Sequence, residues 1–599
     1  MALIVQKFGG TSVADTEKIM AAARRAVRSH QEGNQVVMVV SAMGKNTDML
    51  VRLASELCER PPAREMDMLI STGEQVSVAL MAMAVHSLGY EAVSLTGAQI
   101  GINTDSTHTK ARIRSISTER MRGLLDSGKI VIAAGFQGID QNMNITTLGR
   151  GGSDTTAVAL AAVLKADACE IYTDVDGVYT TDPRVLPEAR QMDRVSYEEM
   201  LELASLGAGV MHSRSIEFGK KFSVPIHVRS SFADVPGTVI AGEPESTNRP
   251  VSGAALTKNE ARITLVGVPD HPGTSLAIFS KIADKNISVD MIVQNVGEQG
   301  RSDVSFTVLK DDLPVTLEAV EAAAVELGAE CVAHDDGVSK VSIVGLGMAE
   351  QTGVANRAFQ ALADEGVNLL MITTSVIKIS MLVQRDQALT ALRTLHKQFE
   401  LDVAPLRDEK TTSPDGKTSV TSQAETNVAD ATDVVARLQG MEELTIESIE
   451  LDDSQARVTV AHVPDTPGIA ARIFAAVAAA GVFVDMIVQS IGRNALANVS
   501  FTVPRKDLDR CLQAATPLAE QLKCGEVTSQ DRVAKLSVQG IGLRSHTGVA
   551  IRMFRSLSDA GINVEMINTS EMSVNVVVDG QRGQDGLAAL QDAFADAQR

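Results

Sequence analysis

The 599-residue chain has no tryptophan and only five cysteines, and it carries no basic stripe; 55 basic against 75 acidic residues leave a formal charge of −20. That balance argues against nucleic acid and anionic membrane surfaces as partners. An anionic substrate must be held by local positive groups against an unfavourable net field. Cys58, Cys169, Cys331, Cys511 and Cys524 are odd in number and form no Cys-x-x-Cys pair, which speaks against a disulfide framework or a zinc site and for reduced thiols. No run of about 18 apolar residues suggests a membrane span. The N-terminus enters a strand-like Leu3-Ile4-Val5 directly, with no charged lead before an apolar core, so no signal or transit peptide is expected. The expectation is a soluble, cytoplasmic protein, long enough for roughly four domains.

What the chain does have is a duplication. Arg262-Ile-Thr-Leu-Val-Gly-Val-Pro-Asp-His-Pro-Gly returns from Arg457, and Lys340-Val-Ser-Ile-Val-Gly-Leu-Gly returns from Lys535, both at an offset of 195. A two-module unit is therefore repeated without gaps, and nothing in residues 1–240 resembles it. This points to catalysis in front and ligand sensing behind.

Residues 1–240 alternate strand candidates (Ala2–Gln6, Gln35–Val40, Ala92–Leu95, Ile130–Ala134, Glu170–Thr173) with helix-period stretches (Thr16–Ser29, Met66–Ser87, Thr155–Lys165). The alternation predicts an α/β domain with a mainly parallel sheet. From about 260 the rhythm shortens. Strand Ile263–Val268, turn Pro272-Gly273, helix Leu276–Lys285, strands Val289–Asn295 and Ser302–Val308 and helix Val315–Leu327 follow the β-α-β-β-α-β order of a ferredoxin-like plait, four times over. The expected division is a first domain over 1–245, modules at 260–335, 338–404, 455–530 and 533–599, and a polar linker over 405–440.

Three segments of the first domain carry chemistry. Lys7-Phe8-Gly9-Gly10-Thr11-Ser12 follows the first strand; its glycines let backbone N–H groups approach an anion, and Lys7 adds a charge. Gly149-Arg150-Gly151-Gly152-Ser153-Asp154 runs into an Ala-rich helix that Ser153 or Asp154 can cap, and Arg150 can fork onto a carboxylate. Tyr172-Thr173-Asp174 through Tyr179, Asp182 and Arg184 leaves a strand end, where open α/β sheets bind ligands.

Together with Ser41-Ala-Met-Gly and Ser71-Thr-Gly-Glu-Gln, these motifs in this order resemble aspartate kinase of the amino-acid-kinase superfamily, and the repeats resemble the ACT modules of its regulatory region. The resemblance implies an α/β/α sandwich followed by four ACT modules, with ATP and Mg²⁺ as cofactors. It implies that Lys7, Phe8, Gly9, Gly10 and Ser41 hold the transferring phosphoryl group and that Asp154 organises Lys7. Thr47, Glu74, Arg150, Gly151, Gly152 and Ser153 would bind aspartate, with Glu74 on the α-ammonium and Arg150 on the α-carboxylate. Thr173, Asp174, Tyr179, Asp182 and Arg184 would line the ATP site. No protein side chains are expected to form a metal site of their own. Many relatives carry a Lys near the nucleotide where this chain has Gly209, and Lys220 or Lys221 is not assumed to replace it.

In the modules, Val-Pro-Asp-x-Pro-Gly before a helix offers N–H groups to an amino acid's carboxylate. Asp270, Gly273, Asp290, Gln294, Asn368 and Leu369, repeated as Asp465, Gly468, Asp485, Gln489, Asn563 and Val564, are together with Thr274 the expected effector residues. Lysine or threonine would be the effector, and the modules would pair, giving a homo-oligomer, a dimer through the modules. Two alternatives stay open at this point: another amino-acid kinase of the glutamate or acetylglutamate type, and a catalytically silent amino-acid sensor. Gly416-Lys417-Thr418 lacks the earlier glycine of a phosphate loop, and His271, His334, His462 and His546 lack metal-ligand spacing. The methionines of Met66–Met83 are expected to fill an apolar core face.

Overall fold

Runs of β-branched residues set the strands of the front half: β1 (Leu3–Phe8), β2 (Gln35–Val40), β3 (Ala92–Leu95), β4 (Ile102–Thr104), β5 (Ile113–Ile116), β6 (Ile130–Ala134), β7 (Gln137–Ile139), β8 (Ile145–Thr147), β9 (Ala168–Thr173), β10 (Arg194–Ser196), β11 (Ile226–Ser230) and β12 (Thr238–Ala241). The helices are α1 (Thr16–Gln31), α2 (Asn46–Leu57), α3 (Ala63–Ile70), α4 (Thr72–Ser87), α5 (Gly97–Ile100), α6 (Glu119–Asp126), α7 (Gly152–Leu164), α8 (Tyr197–Ser205) and α9 (Ser213–Lys221). This computed structural model describes residues 1–599 except 208, 296–299, 350, 406–441, 443, 492–495, 544–547 and 599. Most of the expected linker, with Gly416-Lys417-Thr418, and His546 lie outside the described residues.

One sheet has the order β10-β12-β11-β9-β1-β2-β6-β3. Its central pairs are parallel, and β12 runs antiparallel to β11. Strands buried on both faces need apolar residues at every position, hence Val36-Val-Met-Val-Val and Ile130-Val-Ile-Ala-Ala. Ile19, Ala23, Val78 and Met81 from α1 and α4 cover one face. Val158, Leu160, Met200 and Ile216 from α7, α8 and α9 cover the other. Register pairs Phe8 with Val40 and with Tyr172, so the chain leaves β1, β2 and β9 at the same edge. A smaller sheet, β5-β4-β7-β8, delivers the loop before α7.

Four expectations need correction. β1 runs to Phe8 rather than Gln6, which puts Lys7 on the strand itself. The stretch Met66–Ser87 is two helices parted at Ser71. Its span Ala63–Ser87 is long and apolar enough to cross a membrane, yet it packs on the sheet through Val78, Met81 and Val85. Of its methionines, Met81 is buried while Met68 and Met83 are exposed at 41% and 65%, so they do not fill one core face. Finally, α7 starts at Gly152, its N-cap is Gly151 with φ 73°, and neither Ser153 nor Asp154 caps it. The left-handed glycine ends the loop two residues earlier than a Ser153 cap would.

The back half forms a twelve-stranded sheet from β13 (Gly253–Pro269), β14 (Ile292–Asn295), β15 (Arg301–Leu309), β16 (Cys331–Val344), β17 (Met371–Thr374), β18 (Lys378–Gln384), β19 (Thr445–Pro464), β20 (Ile487–Ile491), β21 (Leu496–Pro504), β22 (Val527–Ile541), β23 (Met566–Thr569) and β24 (Ser573–Asp579). The long strands β13 and β16 each serve two plaits. The second half of β13 pairs with β15 and the first half of β16 in module 1, whereas Gly253–Thr257 pairs with Lys340–Val344 of module 2. Module 2 thus takes its outer strand from ahead of module 1. Module 4 does the same through Thr445–Asp452 of β19. The expected limits 338–404 and 533–599 leave these strands out.

The modules pair crosswise within the chain. β17 of module 2 runs antiparallel to β20 of module 3, and the sheet's two end strands, β14 and β23, come together. Phe279 lies 5.8 Å from Phe554 and Phe359 lies 5.6 Å from Phe474, ring centre to ring centre. Each of these residues is the 195-offset copy of one in the other pair, so the duplicated units face each other across a pseudo-twofold axis. Modules 1 and 4 share one core and modules 2 and 3 another.

Candidate active site

Because β1, β2 and β9 end together, Lys7, Gly9, Gly10, Ser41, Thr173 and Asp174 gather at the carboxyl edge of the sheet, the place where open α/β sheets bind ligands. Gly9 N–H donates to Tyr172 O at 3.3 Å and Ser41 N–H to Phe8 O at 3.1 Å, tying the three strand ends. A Cβ on Gly10 would come within 2.8 Å of Ala42 O, so this turn requires glycine. Phe8 turns to the core, stacked on Tyr172 at 4.8 Å. Lys7 Nζ lies 2.5 Å from Asp154 Oδ1, both side chains nearly buried. The carboxylate in the first turn of α7 thereby sets the ammonium beside the glycine pair.

Glu74 is 4% exposed. Its Oε1 accepts Ala42 N–H at 3.1 Å, and Oε2 has no hydrogen-bond partner. Burial pushes its carboxyl up to about 7, against the pull of the Ala42 bond. A buried oxygen without a donor is a vacant acceptor for an ammonium group. Thr47 stands half-buried in the first turn of α2.

Arg150 is exposed and makes no hydrogen bond or ion pair among the described residues. The loop around it is tightly held. A Cβ on Gly151 would stand 2.4 Å from His212 Cβ, and Gly149 and Gly151 both have positive φ. Three residues that the sequence reading missed do the holding. Asp67, fully buried, accepts from Thr147 Oγ1 at 2.5 Å and Thr109 N–H at 3.1 Å, and lies 2.7 Å from His108 Nδ1. Arg214 donates to Leu148 O at 2.5 Å and Ala111 O at 2.6 Å. Glu442 accepts from Arg214 Nε at 2.6 Å and from Ile113 N–H at 2.8 Å. A carboxylate on the core side of α3 was the one available signal; Arg214 and Glu442 are 228 residues apart and gave none. Arg150, His212, Arg214 and Glu442 share a cleft of about 300 Å³ with Lys221. Lys220 instead pairs with Glu198 and Glu447, so it does not stand in for the lysine absent at Gly209.

The acidic loop after β9 has Thr173 Oγ1 donating to Asp174 at 3.2 Å. Asp182 and Arg184 bind each other bidentately at 2.9 and 2.8 Å, and that pairing holds the Asp182 carboxyl below its usual range. Burial raises Tyr179. Next to Tyr179, Thr180 Oγ1 lies 3.0 Å from His396 Nε2 of module 2, and its carbonyl accepts Ala254 N–H, so this loop touches the half built of plaits.

The structure separates the expected effector residues into two sets. Asp270 meets Asn563 (2.8 Å), and Gln294 bridges Ser275 Oγ and Val564 O, both at 2.8 Å, between modules 1 and 4. The copies meet between modules 2 and 3, Asp465 with Asn368 (2.6 Å) and Gln489 with Leu369 O (3.0 Å). Gly273 and Gly468 cap the adjoining helices at φ 96° and 91°, and Thr274 Oγ1 donates to Pro269 O at 2.7 Å. Asp290 and Asp485 stand apart from these clusters. They are ion-paired to Lys340 and Lys535 and line separate cavities of about 110 and 370 Å³.

The pattern that describes the amino acid kinase family matches residues 2–230, and ACT domain patterns match 262–325, 341–399, 458–516 and 536–594. An aspartokinase from Pseudomonas aeruginosa is 52% identical over 410 residues, 68% of this chain and 99% of its own. The chain belongs to the aspartokinase family. A family member from Geobacillus stearothermophilus is 50% identical over 67% of this chain and 98% of its own. The aspartate kinase structure from Synechocystis covers 100% of this chain and 98% of its own at 39% identity, with a TM-score of 0.52. E. coli aspartokinase III in complex with aspartate and ADP covers 66% of this chain and 100% of its own, at 26% identity and a TM-score of 0.56. The shorter family members thus account for about two-thirds of this chain, and the remainder is the length of one duplicated unit.

Proposed function

We propose that the chain transfers the γ-phosphoryl group of ATP to the β-carboxylate of L-aspartate, giving 4-phospho-L-aspartate, under feedback control by lysine, threonine or both. The Lys7–Asp154 pair at the glycine-lined strand edge carries this reading. Phosphoryl transfer demands charge neutralisation and in-line positioning rather than covalent help. Lys7 and the N–H group of Gly10 would steady the departing oxygens, while Gly9 N–H stays on Tyr172 O and holds the turn in place. Arg150, unpaired, would fork onto the α-carboxylate of aspartate, and Glu74 Oε2 would take its ammonium. With both ends held, the β-carboxylate is the free nucleophile, and being already ionised it needs no general base.

The described residues hold no group of three or more His, Cys, Asp or Glu side chains able to cage a metal. A magnesium ion would be held largely by the nucleotide phosphates and water, with Asp174 at the strand edge as a nearby carboxylate, and would neutralise phosphate charge. The unpaired cysteines support a cytoplasmic setting, and the crosswise plaits support assigning 253–257 to module 2 and 445–452 to module 4.

A coupled assay with aspartate, glutamate or no acceptor, each with and without lysine and threonine, tests the whole. ADP release that depends on aspartate and falls with either end product is expected. Release with glutamate alone would point to the glutamate-type alternative, and no release with any acceptor to a silent sensor.

A further inference from the structure

Helix α8 of the front domain is the plate on which the regulatory modules dock. Glu199 Oε1 accepts Leu346 N–H of module 2 at 3.1 Å. One turn on, Glu202 is fully buried and reaches two modules at once: Lys378 Nζ of module 2 at 2.8 Å and Glu571 N–H of module 4 at 3.0 Å. Lys378 and Glu571 are each 4% exposed, and both line the cavity of about 110 Å³ between modules 1 and 4. On its other side α8 shares a core with α9 through Leu203, Leu206 and Ile216. The start of α9 holds the substrate-arginine loop: its N-cap His212 lies against Gly151, and Arg214 donates to Leu148 O.

We propose that the Glu202–Lys378 ion pair is the link by which filling the cavity between modules 1 and 4 changes the aspartate site. This rests on the reading that the modules bind end-product amino acids. The side chain of an amino acid entering that cavity would press on Lys378, which lines it, and part its ammonium from Glu202. A buried carboxylate deprived of its partner is strongly disfavoured, so the ligand selects an arrangement in which α8, and with it α9 and the Arg150 loop, has shifted. The duplicated cavity between modules 2 and 3 lacks this wiring. The 195-offset copies of Glu571 and Lys378 are Val376 and Ser573, which carry no charge to offer α8.

The test uses the full chain and the double variant E202Q/K378M. The E202Q change keeps an amide oxygen as acceptor for Glu571 N–H, and removing both charges leaves no unpaired buried ion, so the fold is retained where E202Q alone would endanger it; melting curves check this. Lysine and threonine are titrated separately, with binding read by calorimetry and the aspartate KM measured with and without each. The ratio of the two KM values cancels any change in basal KM. For the amino acid that binds between modules 1 and 4, binding should persist in the variant while its effect on KM shrinks by about fivefold or more. An undiminished KM ratio with binding intact would overturn the link, and so would loss of binding, which would make the pair part of the ligand site. If neither amino acid binds the wild type, the effector reading itself fails and takes this proposal with it.

Discussion

Asn368 of module 2 reaches Asp465 of module 3, its Nδ2 donating to Oδ1 at 2.6 Å, and the duplicated Asn563 reaches Asp270 in the same way at 2.8 Å. A contact that a single unit makes only with a partner unit is here made twice, with the roles of the two units exchanged. Each pair sits beside a left-handed glycine at a helix N-terminus, where backbone N–H groups suit a carboxylate.

If these clusters bind effector, Asp270→Ala combined with Asp465→Ala removes the carboxylate that orders Asn563 and Asn368 in both. The lysine or threonine concentration for half-inhibition should rise about tenfold, corresponding to about 1.4 kcal/mol per site. Unaltered inhibition curves for both amino acids would remove these clusters from the effector site and leave the cavities lined by Asp290 and Asp485 to hold it.

Lys7→Ala deletes a preorganised cation at the strand edge. Its loss should lower kcat by about 10²–10³, the usual cost of removing one such donor. Since Asp154 stays 9% exposed at the edge of the cleft, water can solvate it and the fold should survive, as circular dichroism and melting would show. Turnover close to wild type in a folded Lys7→Ala enzyme would remove Lys7 from the mechanism.

Glu74 makes the enzyme pH-sensitive in a definite direction. Burial raises its carboxyl from 4.5 to about 7, so between those values the folded chain binds a proton that the unfolded chain releases. Stability from this group is full below about 4.5 and is lost as pH rises through about 7, amounting to about 3 kcal/mol overall. Glu74→Gln should therefore gain melting temperature relative to wild type at about pH 8 but not at about pH 4.5. Aspartate binding runs the other way, because only the ionised form attracts an ammonium. The wild-type kcat/KM for aspartate should climb with an apparent pKa near 7 and lose that limb in Glu74→Gln.

Much of this was legible in the chain. Unbroken apolar strands and helix-period stretches specified the parallel sheet, and the constant offset of 195 specified the duplicated plaits. Elements joined by long-range pairing were not legible. Gly253–Thr257 reads as an unremarkable run until it is seen as the outer strand of module 2. Nothing local marks Glu202 as the partner of Lys378, because a buried ion pair is defined by two distant segments. At the site, motif residues were readable because glycines and an arginine are improbable together, whereas Asp67 and Arg214, which hold the loop from behind, carry no pattern.

Asp67 offers a direct check on that hidden support. Its carboxylate accepts from Thr147 and from Thr109 N–H, and pairs with His108. Asp67→Ala leaves those donors without an acceptor and should cost about 3 kcal/mol of stability. Asp67→Asn keeps much of the shape but turns one acceptor oxygen into a donor facing His108 or Thr147. In the folded Asn variant, the aspartate KM should rise several-fold more than kcat falls, since Thr147 leads into the Arg150 loop. Equal losses in both constants would tie Asp67 to the transfer step instead.

Crosswise pairing within one chain also bears on assembly. In a family member with one regulatory unit, contacts of the Asn368–Asp465 kind require a second chain, and any effector site they build forms and dissolves by mass action. Here both copies of the contact are internal, so the effector response should not need association. Diluting the enzyme about a hundredfold should leave the half-inhibiting lysine or threonine concentration unchanged, even if light scattering shows a dimer breaking apart over the same range. A half-inhibition value that rises as the dimer dissociates would mean that a second chain completes the effector site, and the oligomer expected from the modules would then be part of the regulatory device.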